Sequence, residues 1–191
     1  NILVGAYGND ENGSVSGAAY VFTKPSSGWV NGVHTAKLLA SDGASGDYFG
    51  WKVGISGDDI VVTAMYDDPL ASSSGSAYVF EKPGSVWVDM TQTAKLVPSS
   101  GVASESFGYS VDIADNLIVI GAHEDFNNSG SNSGAAFVFK KPTTGWVDAA
   151  QDAKLLPSDP DNEDKYGYSV SISNDKVLVG APQNNEKQSL F

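Results

Sequence analysis

The sequence contains no cysteine and no arginine, and only 2 of its 191 residues are methionine. The absence of cysteine excludes disulfides, thiol chemistry and zinc–thiolate centres. No apolar run approaches the roughly 18 residues that a membrane-spanning helix needs, so we expect no membrane insertion. No secretory leader is visible, and the chain begins without methionine in an apolar block, which indicates a fragment or a processed product.

Basic residues are scarce, because 23 acidic side chains outnumber 11 lysines and give a net charge of -12. This charge disfavours nucleic acids and anionic membranes as partners, since their phosphates would be repelled. Cations, cationic surfaces and neutral sugars are compatible with it. The hydrophobic content of 41% is ordinary for a folded protein, so a chain of this length can bury the core of one domain.

Five kinds of sequence block recur in register along the chain, which establishes an internal repeat. The apolar block ILVGA at Ile2 returns at Ile60, Ile118 and Val177, in steps of 58, 58 and 59 residues. We expect repeat units at approximately 1–48, 49–106, 107–165 and 166–191. Four other blocks recur with it. They are Gly-x-Ala-aromatic-Val-Phe at Gly17, Gly75 and Gly134; Lys-Pro at Lys24, Lys82 and Lys141, each with a tryptophan a few residues later (Trp29, Trp87 and Trp146); Ala-Lys-Leu at Ala36, Ala94 and Ala153; and aromatic-Gly near Phe49, Phe107 and Tyr166.

Each unit contains four strand-like segments and no sustained helical periodicity. YSVDI from Tyr109 alternates apolar and polar residues, whereas LIVIGA from Leu117 is a continuous apolar run typical of a strand covered on both faces. AAFVF from Ala135 is rich in strand-forming residues, and AKLL from Ala153 is the shortest segment. Because turn-forming residues separate the segments, we predict an all-β chain.

Tandem four-stranded units are typical of a β-propeller, whose antiparallel blades pack face to face around an axis. A parallel β-helix normally has shorter coils, and a sandwich gives no reason for so regular a period. The blocks correspond to about three and a third blades, with small Gly-Ala corners near the axis. We expect the recurring tryptophans to pack against strand three and the recurring lysines to discourage pairing at the outermost strand; these residues are Trp29, Trp87 and Trp146, and Lys37, Lys95 and Lys154.

The repeated pattern resembles the FG-GAP repeat, the blade unit of the integrin α-subunit propeller and of many bacterial surface proteins. The resemblance covers essentially the whole chain and is closest to the bacterial version. It implies a location outside the cell or at its surface, and a binding role in adhesion. The matching residues are Phe49-Gly50, Phe107-Gly108 and Tyr166-Gly167 for the first half of the motif, and Gly5-Ala6, Thr63-Ala64, Gly121-Ala122 and Gly180-Ala181-Pro182 for the second.

Three and a third blades are fewer than the roughly four that closure normally requires. We therefore expect either a piece of a longer propeller or half of a two-chain ring. If the stretch from Lys187 supplies a shortened strand, the chain has fourteen strands, and two copies would make the seven blades of an integrin-like ring. Homodimerisation and continuation into a longer propeller both stay open.

The family's usual calcium loop, an Asp-x-Asp-x-Asp-Gly type between strands one and two, is absent from this sequence. Calcium needs roughly six to eight oxygen ligands, and the connections SGDDI, ADNLI and SNDKV are long enough only for a hairpin turn. We therefore interpret the acidic residues there as turn formers. These residues are Asp58, Asp59, Asp115 and Asp175.

The long, acidic loops all fall on one face of the predicted propeller. In a four-stranded meander, the connections from strand two to three and from strand four to the next unit lie on the same face, which is the ligand-binding face of integrins. The resemblance makes it the binding surface for a protein or a glycan here. The ligand-face candidates are Tyr7, Asp10, Tyr66, Asp67, Asp68, Glu124, Asp125 and Phe126.

Two of these loops offer oxygen ligands for calcium, which is the only cofactor the sequence suggests. The stretch SDPDNEDK is the densest acidic group, and SDGASGD is a sparser one. Neither has an alternating ligand pattern, so a calcium site and a solvated acidic loop are both open interpretations. The residues concerned are Asp159, Asp161, Asn162, Glu163 and Asp164 in the first loop, and Asp42 and Asp47 in the second.

Catalysis finds little support in the sequence. His34 and His123 fall in different units on opposite faces, and no nucleophile motif or metal-binding histidine pair accompanies them. We predict a non-catalytic extracellular binding or adhesion scaffold that uses its acidic loop face. The alternative is a carbohydrate-binding propeller that relies on aromatic residues, or an accessory module of a larger secreted enzyme.

Overall fold

The computed structural model describes residues 1–101, 103–126 and 132–184, and these residues form fourteen β-strands. The prediction of an all-β chain is confirmed. No helix in the described part could span a membrane. The shortened strand predicted from Lys187 lies outside the described residues. The strands are β1 (Ile2–Ala6), β2 (Ala18–Phe22), β3 (Ala36–Leu39), β4 (Phe49–Ser56), β5 (Asp59–Ala64), β6 (Ser76–Glu81), β7 (Met90–Thr91), β8 (Ala94–Leu96), β9 (Ser110–Ala114), β10 (Leu117–Ala122), β11 (Ala135–Lys140), β12 (Ala153–Leu155), β13 (Ser169–Ser173) and β14 (Lys176–Gly180).

The strands form four consecutive propeller blades. Blade 2 (β4-β5-β6-β8) and blade 3 (β9-β10-β11-β12) are complete antiparallel meanders, so the predicted four-stranded unit is confirmed there. Blade 1 contains β1 to β3, which correspond to strands two to four of the repeat, and blade 4 contains β13 and β14, which correspond to strands one and two. The short strand β7 was not predicted. It pairs in parallel with β3, so a segment of the second repeat extends the sheet of the first.

Tight turns join strands one and two, as the sequence predicts. Asp58, Asp115 and Asp175 lie in these turns, and Asp115 adopts a left-handed backbone with φ of 51°, which a short polar residue tolerates. The prediction is wrong for Asp59, which begins β5, is buried, and accepts hydrogen bonds of 2.8 and 2.9 Å from Lys141. Asp59 therefore links blades 2 and 3 rather than forming a turn.

The hydrophobic core lies between blades, because the central strands of blades 2 and 3 bury both of their faces. On β5, Ile60 and Val62 point toward blade 1 and pack in one cluster with Leu38. The intervening Val61 points the other way and packs in a second cluster with Phe107 of blade 3. Alternate residues of one strand thus enter two different cores, which explains why strand two is apolar along its whole length.

The two halves of the repeated motif meet at the boundary between blades. Phe49 is fully buried, and its ring centroid lies 5.4 and 6.1 Å from those of Tyr78 and Phe80 in its own blade. Beside it, the backbone of Gly50 approaches Gly5 of blade 1 so closely that a Cβ on Gly5 would overlap the Gly50 carbonyl oxygen. The same contact joins Gly121 of blade 3 to Gly167 of blade 4. Glycine is therefore required at these two boundaries, where the backbones of successive blades come into direct contact.

The recurring tryptophans pack between blades wherever a preceding blade exists. Trp87 and Trp146 are 3% and 4% exposed, which confirms their predicted packing role. Trp29 differs, because 50% of it is exposed, and Ile2 and Val4 on the same blade are exposed as well. No blade precedes blade 1 among the described residues, so this apolar surface lacks the cover that its equivalents have.

Candidate functional site on the loop face

The loop face, formed by the connections after strand two and before strand one, carries a continuous run of six aromatic side chains. Each ring lies beside the next, with centroids 4.9 to 6.1 Å apart, and the run crosses all four blades. Tyr7 and Tyr48 are nearly parallel, with 25° between their planes. In order along the surface, this aromatic run consists of Tyr66, Tyr48, Tyr7, Trp51, Tyr109 and Tyr168.

Much of the aromatic run is accessible. Tyr7, Tyr66 and Tyr168 are 47%, 40% and 43% exposed, while Trp51 and Tyr109 are partly buried beneath the surface. Two ligand-face candidates, Tyr7 and Tyr66, are thus brought together through Tyr48. The third aromatic candidate, Phe126, is 49% exposed but contacts no ring among the described residues.

A buried histidine lies under one end of the run. The ring of His123 is 4.0 Å from that of Tyr109 and 5.6 Å from that of Tyr168, and the residue is only 6% exposed. Burial lowers the pKa of His123, an effect that the charge of Lys165 reinforces and the nearby Glu124 opposes. The imidazole is therefore held in its neutral form over most of the neutral pH range.

The lysines of the Ala-Lys-Leu blocks point to this face rather than protecting a sheet edge. The Lys95 Nζ atom lies 2.7 Å from Asp67 and 2.6 Å from Asp42, above the ring of Tyr78. Burial by itself would raise the pKa of Asp42, but the ion pair with Lys95 outweighs it and lowers this pKa. Burial would lower the pKa of Lys95, yet its two carboxylate partners raise it. The charges therefore hold each other in place.

The same arrangement recurs in the neighbouring blades. Lys154 donates 2.7 and 2.9 Å hydrogen bonds to Asp125, which is fully buried, and lies over the Phe137 ring. Lys37 pairs with Glu11 in blade 1. The expectation that these lysines discourage edge pairing is wrong, because β3 is paired in parallel by β7. Their aliphatic chains instead cross strand three to reach acidic loops, and Asp67 and Asp125 are internal structural groups.

Other acidic residues of the loop face brace their own loops. Asp10 accepts a 2.7 Å hydrogen bond from the Val15 amide, and Asp68 accepts one from the Ser73 amide. Glu124 accepts a 2.8 Å hydrogen bond from the Ser106 hydroxyl. Val15, Ser73 and Ser106 all have left-handed φ values, of 54° to 56°. These bonds therefore hold backbone conformations that non-glycine residues otherwise avoid.

The calcium candidates do not converge on a common centre. Asp47 and Asp164 are buried and accept hydrogen bonds from the amides of Ala44 and Asp161, at 2.6 and 2.7 Å. Burial also raises the pKa of Asp47. Asp42 pairs with Lys95, whereas the remaining candidates are exposed. In the described part of the chain, no group of three or more acidic or histidine side chains is arranged to hold a metal ion. The remaining candidates are Asp159, Asp161, Asn162 and Glu163.

Comparison with protein families gives a match to the FG-GAP repeat at residues 33–80, 90–139 and 149–190. This chain belongs to the FG-GAP repeat family. FG-GAP repeats build propeller-type binding modules, are generally non-catalytic, and typically occur in extracellular or surface proteins. A comparison with curated proteins found no match.

Sequence reasoning missed most of the aromatic run. Tyr48, Trp51, Tyr109 and Tyr168 were not among the candidates, although three of them share one place in the FG-GAP repeat. Trp51, Tyr109 and Tyr168 each stand directly after the aromatic-Gly motif. Aligning the last three units would have shown an aromatic at this position in each of them, but only the packing of successive blades shows that the rings touch.

Proposed function

We propose that this FG-GAP segment is a non-catalytic binding module of an extracellular or cell-surface protein, and that the aromatic run on its loop face contacts the ligand. The observation that carries the proposal is the exposure of Tyr7, Tyr66 and Tyr168 within one connected set of rings. Tyrosine and tryptophan contribute strongly to binding, because they bury a large area while losing little conformational freedom. The blades beneath hold these rings in place.

The acidic residues have a secondary role in this proposal. Asp67 and Asp125 are neutralised by lysines, so they are poor candidates for direct contact. Asp159, Asp161 and Glu163 are exposed and have no lysine partner among the described residues. Around an aromatic contact surface, such charges would attract a cationic protein and speed its association more than they would strengthen the complex.

A carbohydrate ligand is the second candidate, and the Tyr7 and Tyr48 pair favours it. The two rings are nearly parallel, and Tyr7 presents an exposed aromatic face. The apolar face of a neutral sugar can stack on such a ring without any contribution from charge.

The labelled chain would be applied to a glycan array and to an array of immobilised secreted and surface proteins, at about 0.05 M and 0.5 M NaCl. The proposal predicts saturable binding to at least one class that persists at high salt. Signal on glycans alone would select the carbohydrate candidate, and signal on proteins alone would select adhesion. Signal that disappears at high salt, or no saturable signal on either array, would contradict an aromatic contact surface.

A further inference from the structure

The segment that joins strands three and four reaches back to the preceding blade. The Asp89 side chain accepts a 2.8 Å hydrogen bond from the backbone amide of Lys37 in β3. Three residues later, the Gln92 side chain accepts a 2.9 Å bond from the Ser41 amide and donates a 2.8 Å bond to the Ser41 hydroxyl. An aspartate and a glutamine thus bind the outer strand of blade 1 at two points.

Blade 2 is bound in the same way by the third repeat. The Asp148 side chain accepts a 2.7 Å hydrogen bond from the Lys95 amide in β8. Gln151 accepts a 2.8 Å bond from the Ser99 amide and donates a 2.9 Å bond to the Ser99 hydroxyl. Because the same pairs form at equivalent positions, this contact is a property of the repeat and not of one loop.

Backbone pairing and a buried tryptophan complete each contact. Met90 pairs in parallel with Leu38, and Trp87 lies in the hydrophobic cluster that contains Leu38. In blade 2, the corresponding residues are Ala149, Trp146 and Leu96. We call the pattern Trp-x-Asp-x-x-Gln the clasp segment. The clasp segment adds a short parallel strand to the outer edge of the preceding blade. Its tryptophan, aspartate and glutamine side chains, which keep a fixed spacing, contact that blade.

The outer strand of blade 3, β12, resembles β3 and β8 in sequence, with an Ala-Lys-Leu block and a serine four residues after the lysine. Among the described residues, no clasp segment lies against it. Ala153 is exposed, whereas its equivalents Ala36 and Ala94 are fully buried. Within the described part of the chain, the amides of Lys154 and Ser158 have none of the partners that bind the amides of Lys37 and Ser41 or those of Lys95 and Ser99. An apolar edge with two outward amide donors is thus open to strand addition.

We propose that the outer edge of β12 is a docking site for an extended clasp segment supplied by another FG-GAP unit. The segment runs parallel to β12, with its aspartate accepting from the Lys154 amide and its glutamine bonding the amide and hydroxyl of Ser158. Its tryptophan packs beside Leu155. The first repeat carries Asn31 and His34 at the aspartate and glutamine positions, so its own segment is a poorer occupant.

The direct test is a labelled peptide with the sequence WVDMTQT of residues 87–93, titrated against the full chain by fluorescence anisotropy. The matched control peptide replaces its aspartate and glutamine with alanine. The control loses three hydrogen bonds, each worth at least about 0.5 kcal/mol, so we predict that it binds more weakly by roughly tenfold or more. Equal affinity of the two peptides, or no saturable binding up to about 1 mM, would overturn the proposal.

Variants of Ser158 locate the site. Ser158→Pro removes the amide donor, whereas Ser158→Ala keeps it and loses only the hydroxyl. We expect Ser158→Pro to lower the affinity for the peptide by roughly fivefold or more, and Ser158→Ala to lower it by less. Circular dichroism establishes that each variant is folded.

A titration followed by NMR gives a readout that needs no variant. Addition of the peptide to the wild-type chain should shift the amide resonances of Lys154 and Ser158. The amide resonances of Lys95 and Ser99 should not shift, because these amides are already bound by the third repeat. Shifts confined to other surfaces would overturn the proposal.

Discussion

The Thr63 hydroxyl of blade 2 donates a 2.8 Å hydrogen bond to the carbonyl oxygen of Gly108 in blade 3, in a fully buried position. Thr63 stands where the other repeats have the glycine of the Gly-Ala pair. Between blades 1 and 2 and between blades 3 and 4, the glycine backbones of the two blades contact each other directly. Between blades 2 and 3, the side chain of Thr63 lies in the equivalent space. One boundary is thus closed by a side chain and two by glycine.

Thr63→Val tests this hydrogen bond, because valine keeps the shape and removes the hydroxyl. The Gly108 carbonyl would lose its buried donor, so we expect the free energy of unfolding to fall by about 1 to 3 kcal/mol. Urea denaturation measures the change. Thr143→Val in an exposed loop is the control and should stay within about 0.5 kcal/mol of wild type. If Thr63→Val were as stable as that control, the hydrogen bond from Thr63 to Gly108 would not contribute to stability as we predict.

Gly121→Ala tests the glycine contact. The added methyl group would overlap the Gly167 carbonyl and the Ser110 hydroxyl, so blade 4 must shift away from blade 3. Overpacking of this kind costs about 1 to 3 kcal/mol, which should appear as a lower urea midpoint. Gly8→Ala is the matched control, since no atom lies within 4 Å of the added group. Equal midpoints for the two variants would contradict the close approach.

Lys154→Met tests the internal ion pair. It leaves the fully buried Asp125 carboxylate without its cation, so we expect a loss of about 3 to 5 kcal/mol. Adding Asp125→Asn should restore part of the loss, because the buried charge is then removed. Lys82→Met, which breaks an ion pair with the exposed Asp58, should cost no more than about 1 kcal/mol. Similar losses for both lysines would show that the pair is not buried in solution.

His123 predicts a pH dependence of stability. The pKa of His123 in the folded chain lies below the ordinary value of 6.5. At a pH below 6.5, the unfolded chain therefore binds more protons than the folded chain. The contribution of His123 to stability is therefore present above pH 6.5 and is lost as the pH falls through the folded pKa. His123→Phe should flatten the fall in unfolding free energy between about pH 7.5 and pH 5.5. The exposed His34→Phe serves as control, and identical slopes for wild type and His123→Phe would exclude this role.

The architecture was predictable from sequence because its signals are local and repeated. Strand alternation and turn residues recur along the chain, and the Gly-Ala corner recurs except at Thr63-Ala64, so these signals specified the blades. The recurrence of tryptophan at one position predicted the burial of Trp87 and Trp146. The functions of lysines and acids were harder to predict. Lys95 crosses a strand to reach Asp42 and Asp67, and Asp59 meets Lys141 of the next blade. These contacts join residues distant in sequence, and no local pattern encodes them.

The aromatic run escaped prediction for the same reason. Trp51 and Tyr109 occupy the same position in successive repeats, and each looks like part of an ordinary strand. Only the packing of one blade on the next places their centroids 6.1 Å apart. Two members of the run, Tyr7 and Tyr66, were among the candidates because they lie in the loops that follow strand two. That criterion finds residues that a blade does not need for its own packing.

The most direct measurement is binding of the double variant Tyr7→Ser/Tyr66→Ser to the array spots that capture the wild-type chain. Both side chains are exposed, so the variant should fold normally, and Trp29→Ser, which removes an aromatic ring of similar exposure from a different surface, is the control. We predict that the double variant loses at least about nine-tenths of the affinity, from the loss of two aromatic contacts, while Trp29→Ser keeps it. Full retention of binding by the double variant would contradict a ligand surface built on the aromatic run.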